Sequence, residues 1–162
     1  INYIKDKYNI NDDIMVAKNG KPHFTTTKMS FNISHSGNYV VIVVSEFNIG
    51  IDIQRMEKHN HLIAEKNFCT NECAYINEFE DNDIQRQRFH EIWTIKEAYL
   101  KNVGIGLRKP LNSFEIDLTG DNPKIIDNPG YAILQMKLDK LYIIAICADI
   151  RDKEFSIQEV EI

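Results

Sequence analysis

Residues 49–54 constrain the fold most strongly, because isoleucine occupies every second position of this segment. Successive side chains of a strand point to opposite faces, so the alternation predicts a strand with one apolar face. The isoleucines would be buried on that face, and Asp52 and Gln54 would be presented on the other. Asp52 is therefore a candidate ligand or catalytic group.

Residues 89–101 have a helical repeat, unlike the strand repeat of residues 49–54. Apolar side chains recur at helical spacing, and a polar stripe runs beside them: Phe89, Ile92, Trp93, Tyr99 and Leu100 on the first, His90, Thr94, Glu97 and Lys101 on the second. Glu97 and Lys101 lie one turn apart and share a polar face. Gly104 is predicted to end this helix, because glycine readily adopts the left-handed conformation of a C-cap.

Two carboxylates and a lysine on regular elements are suited to a magnesium-held pyrophosphate. Magnesium takes oxygen ligands, usually one or two carboxylates, and leaves its other positions to water and substrate phosphates. Asp52 with Glu97 fits that demand, and the amide oxygen of Gln54 could join them. Taken singly, Asp52 is more typical of a solvated strand face, and Glu97 with Lys101 is more typical of an ordinary surface pair.

Four short motifs follow one another along the chain: Gly-Lys-Pro at residues 20–22, Asn-Ile-Ser-His-Ser at residues 32–36, Gly-Ile-Asp-Ile at residues 50–53, and Trp-x-x-Lys-Glu-Ala-x-x-Lys at residues 93–101. In this order and at these separations, the set resembles the 4'-phosphopantetheinyl transferases of the surfactin-synthetase type. The resemblance runs from about Ile10 to about Ala148.

Members of that family move the phosphopantetheine arm of coenzyme A onto a serine of an apo acyl or peptidyl carrier protein. Adenosine 3',5'-bisphosphate is left behind. The resemblance implies that Asp52, Glu97 and Lys101 are catalytic and that Asp52, Glu97 and Gln54 bind magnesium. Glu97 would accept the serine proton, directly or through a water. The residues implied for coenzyme binding are Lys21, Pro22, Asn32, Ser34, His35, Lys96 and Lys101.

Two features depart from the family pattern. Gln54 stands where many relatives carry a second acid, so the site would hold its metal with one carboxylate fewer. The chain also reaches Lys21 early, whereas relatives carry several dozen residues more, including basic residues for the coenzyme 3'-phosphate. We therefore expect residues 1–45 to be the remainder of the N-terminal half of a pseudo-duplicated enzyme, and residues 46–162 to be its C-terminal domain.

Composition and charge indicate the class of protein, its location and its possible partners. The 162 residues, 43% hydrophobic and 27% charged, are ordinary for a globular domain, and the sequence predicts a cytoplasmic protein with no membrane partner. No dense basic run favours nucleic acid as a partner. The net charge of -5 does not favour an anionic coenzyme, so a local positive patch is expected. Its predicted members are Lys96, Lys101, Arg108 and Lys109.

The order of predicted elements indicates an α+β fold with helices packed on one face of an antiparallel sheet. Helices are predicted over 62–68 and 71–79, the second capped by Thr70. Residues 80–87 would form a loop or an extension of the helix that follows. Residues 114–118, 131–138 and 141–148 would form a terminal meander, and Phe155, Ile157 and Val160 an edge strand or a docked tail.

Two other functions fit parts of the same pattern. Another magnesium-dependent enzyme that cleaves a pyrophosphate would use the same carboxylates and lysine. A non-catalytic module that binds coenzyme A or a carrier protein would be consistent with Gln54 and with the early position of Lys21.

Overall fold

The computed structural model of the protein describes residues 1–18, 20–58, 61–120 and 122–149. The helices are α1 (Asn2–Lys7), α2 (His61–Asn67), α3 (Thr70–Asn77) and α4 (Asn82–Val103), with 3-10 turns at Gly106–Arg108 and Leu111–Ser113. The strands are β1 (Ile14–Val16), β2 (Pro22–Phe24), β3 (Ser30–Ser36), β4 (Tyr39–Ser45), β5 (Ile49–Arg55), β6 (Ile116–Asp117), β7 (Lys124–Ile125), β8 (Ala132–Leu138) and β9 (Tyr142–Ala148). The predicted strand through Phe155, Ile157 and Val160 lies outside the described residues.

The central sheet is antiparallel, with the strand order β5-β9-β8. The isoleucines of β5 are buried on one face with Ile144 and Ile146 of β9, and side chains of β4 pack over them. On the opposite face, Ile95 and Ala98 of α4 pack against Ala145 and Cys147. The predicted α+β fold and the predicted strand face of β5 are therefore confirmed.

Helix α4 is the longest element, with 22 residues, and each of its ends has a defined cap. At its start, the Asp81 carboxylate accepts hydrogen bonds from the Asp83 and Ile84 N–H groups at 2.8 and 3.1 Å. At its end, Gly104 has a φ of 74° and donates its N–H to the Leu100 carbonyl. The predicted end is correct, and most of the predicted loop or extension at 80–87 belongs to the helix.

Two local predictions are wrong, and Glu72 contacts the backbone in both regions. Residue Cys69, and not Thr70, occupies the N-cap of α3, because Glu72 accepts the Cys69 N–H at 2.8 Å. The second oxygen of Glu72 accepts the Ile116 N–H at 2.8 Å. Strand β6 pairs with the short β7 and not with β8, so the predicted three-stranded terminal meander is reduced to the β8–β9 hairpin.

Candidate active site

Gly50 lets β5 lie directly against α4. A Cβ atom built on Gly50 would come within 2.1 Å of the Ala98 carbonyl oxygen and 2.4 Å of the Asn102 backbone nitrogen. Both neighbours are backbone atoms, so no side-chain rotation could relieve the overlap. The close approach places the next residue on the same strand face, Asp52, beside the last turns of α4.

Asp52 is buried between β3, β5 and α4. Its Oδ1 atom lies 2.6 Å from the Lys101 ammonium and accepts a hydrogen bond from the Ser34 hydroxyl at 2.8 Å. Its Oδ2 atom accepts a hydrogen bond from the Gln54 amide nitrogen at 3.0 Å. The sequence predicted that Asp52 would be presented on a polar face, whereas the structure buries the carboxylate and supplies partners for both oxygens.

Lys101 connects the helix to this carboxylate. Its ammonium also donates a hydrogen bond to the Ser34 hydroxyl at 2.9 Å. About a quarter of the side chain remains exposed, since the relative accessibility is 28%, compared with 3% for Asp52. The Lys101 side chain is therefore paired with Asp52 and Ser34 and is still partly exposed to solvent.

Glu97 lies one helical turn before Lys101 and is partly buried. Burial raises the pKa of its carboxyl group, and the negative charge of Asp52 raises it further, while the Lys101 charge opposes both effects. The two predicted metal ligands are thus close enough to repel each other. Two neighbouring carboxylates are suited to share a cation, and a raised pKa makes Glu97 a better proton acceptor than an ordinary carboxylate.

The donor set fits a magnesium ion. Asp52 and Glu97 provide carboxylate oxygens, and their mutual repulsion is what a divalent cation would relieve. Gln54 turns its amide nitrogen toward Asp52, so it would contribute its oxygen only after the amide rotates. Within the described ranges, no cluster of three or more His, Cys, Asp and Glu side chains is arranged for a metal.

The predicted coenzyme residues of β3 differ in exposure. Asn32 and Ser34 are buried and face β5, where Asn32 accepts the Ile51 N–H at 2.9 Å and Ser34 accepts the Ile53 N–H at 3.3 Å. His35 is exposed on the alternate face of the same strand. Of this motif, His35 is therefore the side chain that solvent reaches most freely.

Lys21 and Pro22 lie at the edge of the same region. The Lys21 ammonium donates to the carbonyl oxygens of Ile49 and Asn102, at 3.3 and 3.1 Å, and burial lowers its pKa. Since Asn102 is in the last turn of α4, the lysine also complements the negative end of the helix dipole. Pro22 begins β2 and is paired with Val16.

Lys96 is not brought to this site. Its side chain is fully buried, it pairs with Glu72 at 2.8 Å, and it donates to the carbonyl oxygens of Leu111 and Phe114 at 2.8 and 2.5 Å. A lysine with these partners is a structural group of the core, so the predicted coenzyme contact of Lys96 is wrong. Lys96 therefore does not belong to the predicted positive patch. Lys109, another predicted member, stacks on the rings of Tyr99 and Phe114.

Sequence reasoning did not foresee the structural roles of three residues, two at the site and one in the core. Gly50 sets the strand-to-helix distance, Glu72 fixes Lys96 in the core, and Ser36 accepts the Arg55 N–H at 2.9 Å. The alternation of Asn32, Ser34 and Ser36 could have revealed the third of these, because three small polar residues on one strand face are unusual for a buried strand. The site as a whole combines a buried and a partly buried carboxylate with a lysine, an arrangement that can hold a cation and an anionic group together.

Comparison with known proteins identifies the family. Residues 48–147 match the family model of the 4'-phosphopantetheinyl transferase superfamily, so the chain belongs to that superfamily. The chain is 43% identical over 109 residues to the 4'-phosphopantetheinyl transferase gsp of Aneurinibacillus migulanus, covering 66% of this chain and 45% of the relative. It is 36% identical over 138 residues to a 4'-phosphopantetheinyl transferase of Bacillus subtilis, covering 82% of this chain and 61% of the relative.

A third relative, the transferase Sfp of Bacillus subtilis strain 168, is 35% identical over 123 residues, which are 73% of this chain and 54% of Sfp. The chain thus spans about half the length of the curated relatives it matches. The resemblance expected from the four motifs is confirmed at the level of the family.

Solved structures support the fold. The holo-[acyl-carrier-protein] synthase of Thermotoga maritima matches with a TM-score of 0.52 at 17% identity, covering 63% of this chain and 62% of that one. The holo-(acyl-carrier-protein) synthase of Bacillus anthracis, solved in complex with CoA (3',5'-ADP), gives a TM-score of 0.51 at 21% identity, covering 63% and 94%.

In the part of the chain that the structure describes, none of the helices has both the length and the apolar character that crossing a membrane requires.

Proposed function

We propose that this chain transfers the 4'-phosphopantetheine arm of coenzyme A to a serine of an apo acyl or peptidyl carrier protein and releases adenosine 3',5'-bisphosphate. The observation that carries the proposal is the cluster of Asp52, Glu97 and Lys101 at the contact of β5 with α4. The family match covers this cluster. We also propose a cytoplasmic location and a division of the chain into residues 1–45 and 46–162.

Glu97 is the proposed general base. The serine oxygen of the carrier protein attacks the phosphorus that bears the pantetheine arm, and the serine proton passes to Glu97 directly or through a water. The bond from that phosphorus to the bridging oxygen breaks, and the adenosine bisphosphate leaves with the bond electrons. The raised pKa of Glu97 makes it a better proton acceptor than an ordinary carboxylate.

Lys101 is the proposed stabiliser of the leaving phosphate. Its ammonium is held near Asp52 and its side chain is partly exposed, so we expect it to meet a pyrophosphate without a large rearrangement. Positive charge fixed beside the breaking bond stabilises the negative charge that develops there. Lys101 would neutralise that charge or donate a proton to the leaving oxygen.

Magnesium is the proposed metal, held by Asp52 and Glu97 with Gln54 as a third ligand or as a partner of bound water. When bound, the ion would neutralise part of the pyrophosphate charge. Since Gln54 brings no charge, we expect weaker magnesium binding than an acid at this position would give.

The proposed coenzyme contacts differ in how directly each side chain can make them. His35 is exposed and is the first candidate for a phosphate contact. Ser34, Lys21, Asn32 and Pro22 remain in the proposed coenzyme set, although the first three also hold the local backbone. Lys96 is left out because its ammonium is enclosed in the core.

Intact-mass spectrometry tests the proposed reaction. Several apo carrier proteins would be incubated with this chain, coenzyme A and magnesium, with and without a chelator. The proposal expects a gain of one phosphopantetheine arm that the chelator prevents. Cleavage of coenzyme A with no gain in carrier mass would indicate a pyrophosphate-cleaving enzyme instead. Coenzyme binding with neither reaction would indicate a non-catalytic module.

A further inference from the structure

The outer edge of strand β5 carries backbone N–H groups that need hydrogen-bond acceptors other than a neighbouring strand. In the described sheet, β5 pairs with β9 on one side only. A strand paired on one side leaves every second N–H pointing away from its partner. Two of these outward groups belong to Ile51 and Ile53, which are buried, and a buried N–H left without an acceptor destabilises the fold.

Side chains of β3 accept these N–H groups in a regular series. Asn32 accepts from Ile51 at 2.9 Å, Ser34 from Ile53 at 3.3 Å, and Ser36 from Arg55 at 2.9 Å. Each pair is separated by 19 residues, so the two strands run parallel and in step. We call the side chains of Asn32, Ser34 and Ser36 the polar rail.

The polar rail excludes a one-residue shift of β3 along β5. Both strands advance by about 6.6–6.8 Å for every two residues, so alternate acceptors match alternate donors along the whole contact. A shift of β3 by one residue would turn Phe31 and Ile33 toward the N–H groups, and these side chains belong to the core beside Ile10 and Phe24.

The middle residue of the polar rail also touches the candidate active site. The Ser34 hydroxyl accepts the Ile53 N–H, donates to Asp52 Oδ1 and accepts from the Lys101 ammonium. A single oxygen atom therefore joins the strand edge, the buried carboxylate and the helix. The neighbouring His35 is fixed by the same alignment, because it lies between Ser34 and Ser36 on β3.

We infer that the polar rail positions Asp52, with Ser34 as the positioning residue that sets where the carboxylate stands relative to Lys101. This inference rests on the proposed function, since it assigns the carboxylate a metal to bind. Partners that orient metal ligands typically change metal affinity by 10- to 100-fold when they are removed. Ser36 and Asn32 maintain the alignment without touching Asp52.

The test measures amide exchange and magnesium affinity in the whole chain. The variants are Ser34→Ala, Ser34→Thr and Ser36→Ala, studied by residue-resolved hydrogen exchange and by magnesium titration calorimetry. We expect Ser34→Ala to accelerate exchange at Ile53 by tenfold or more and to weaken magnesium binding by 10- to 100-fold. Ser34→Thr keeps the hydroxyl and is expected to restore both. Ser36→Ala should accelerate exchange at Arg55 and change magnesium affinity by less than threefold.

Two results would overturn the inference. One is unchanged exchange at Arg55 in Ser36→Ala, a variant at the exposed end of the rail that is expected to fold even if Ser34→Ala does not. The other is a Ser34→Thr protein that protects the Ile53 amide but binds magnesium as weakly as Ser34→Ala. Neither readout requires transfer to a carrier protein. A chain that never transfers but follows the expected pattern would contradict the proposed function and leave the polar rail supported.

Discussion

Helix α4 contributes the lysine to each of two lysine–carboxylate ion pairs. The two pairs have similar N–O distances and different surroundings. Lys96 and Glu72 are 2.8 Å apart with side-chain accessibilities of 0% and 1%, and Lys101 and Asp52 are 2.6 Å apart with 28% and 3%. The first pair is enclosed by two backbone carbonyls. The second opens toward Glu97 and solvent. Ion-pair distance alone therefore does not separate a structural pair from a candidate catalytic one, whereas the remaining partners of the lysine do.

The largest expected effect is on the enclosed pair. Lys96→Met would leave Glu72 as a buried charge without its cation, and removal of one member of a buried pair costs about 3–5 kcal/mol. The free energy of unfolding, measured with denaturant, should fall by that amount. Lys109→Met is the matched control, because Lys109 stacks on the same Phe114 ring from a more accessible position and should cost less than about 1 kcal/mol. Equal losses in the two variants would contradict the structural role of Lys96.

For the partly exposed Lys101–Asp52 pair, we expect a smaller loss of stability and a larger loss of transfer activity. Lys101→Met removes a hydrogen bond to a charged group, worth about 1.5–3 kcal/mol, while Ser34 and Gln54 still contact Asp52. We expect a folded protein with no detectable transfer in the intact-mass assay. Lys137→Met, which removes an exposed lysine that donates to Gln87, is the control and should retain transfer. Transfer at the wild-type rate by Lys101→Met would remove Lys101 from the mechanism.

The close contact of β5 with α4 can be tested by replacing the glycine that permits it. Gly50→Ala would force a Cβ into the Ala98 and Asn102 backbone, and overpacking of this kind costs about 1–3 kcal/mol. The measurement is thermal and denaturant unfolding. Gly120→Ala is the control, since the nearest atom to its Cβ would be 4.0 Å away, and it should be neutral or slightly stabilising. A neutral Gly50→Ala would show that β5 does not approach α4 this closely.

The smallest expected stability effect concerns Glu97 and pH. Its folded-state pKa is raised above the ordinary value of 4.5, so the folded state binds the proton more tightly than the unfolded state does. Stability should therefore fall as pH rises from that value through the raised pKa, and should level off above it. Glu97→Gln should remove this slope and be modestly more stable than wild type at neutral pH.

Unfolding curves across pH compare Glu97→Gln with Glu91→Gln, a glutamate on the same helix that accepts hydrogen bonds from Gln87 and Tyr75. Glu91→Gln should keep the wild-type slope. A Glu97→Gln variant that also keeps the slope would show that burial and Asp52 do not raise the pKa of Glu97.

The sequence predicts the features that depend on local periodicity. The alternating isoleucines of β5 give the correct strand and the correct buried face, and Gly104 ends α4 as expected. The shared face of Glu97 and Lys101 also follows from helical spacing. These features require only neighbouring residues, so one sequence is enough to recognise them.

The sequence does not predict the features that depend on distant partners. The family resemblance implied a coenzyme contact for Lys96, whereas its burial follows from Glu72 and from carbonyls 15 and 18 residues further along the chain. Asp52 is buried likewise against Ser34, and the first residue of β6, Ile116, donates its N–H to the distant Glu72. Such partners become neighbours only through the fold.

The central claim is that the Lys101–Asp52 pair and Glu97 form a cation site. The dependence of the unfolding midpoint on magnesium concentration tests it most directly. A ligand that binds only the folded state raises the unfolding midpoint with its concentration. The midpoint of the wild-type chain should rise with magnesium, and that of Glu97→Gln should rise far less. No rise in the wild type, or equal rises in both proteins, would contradict the claim.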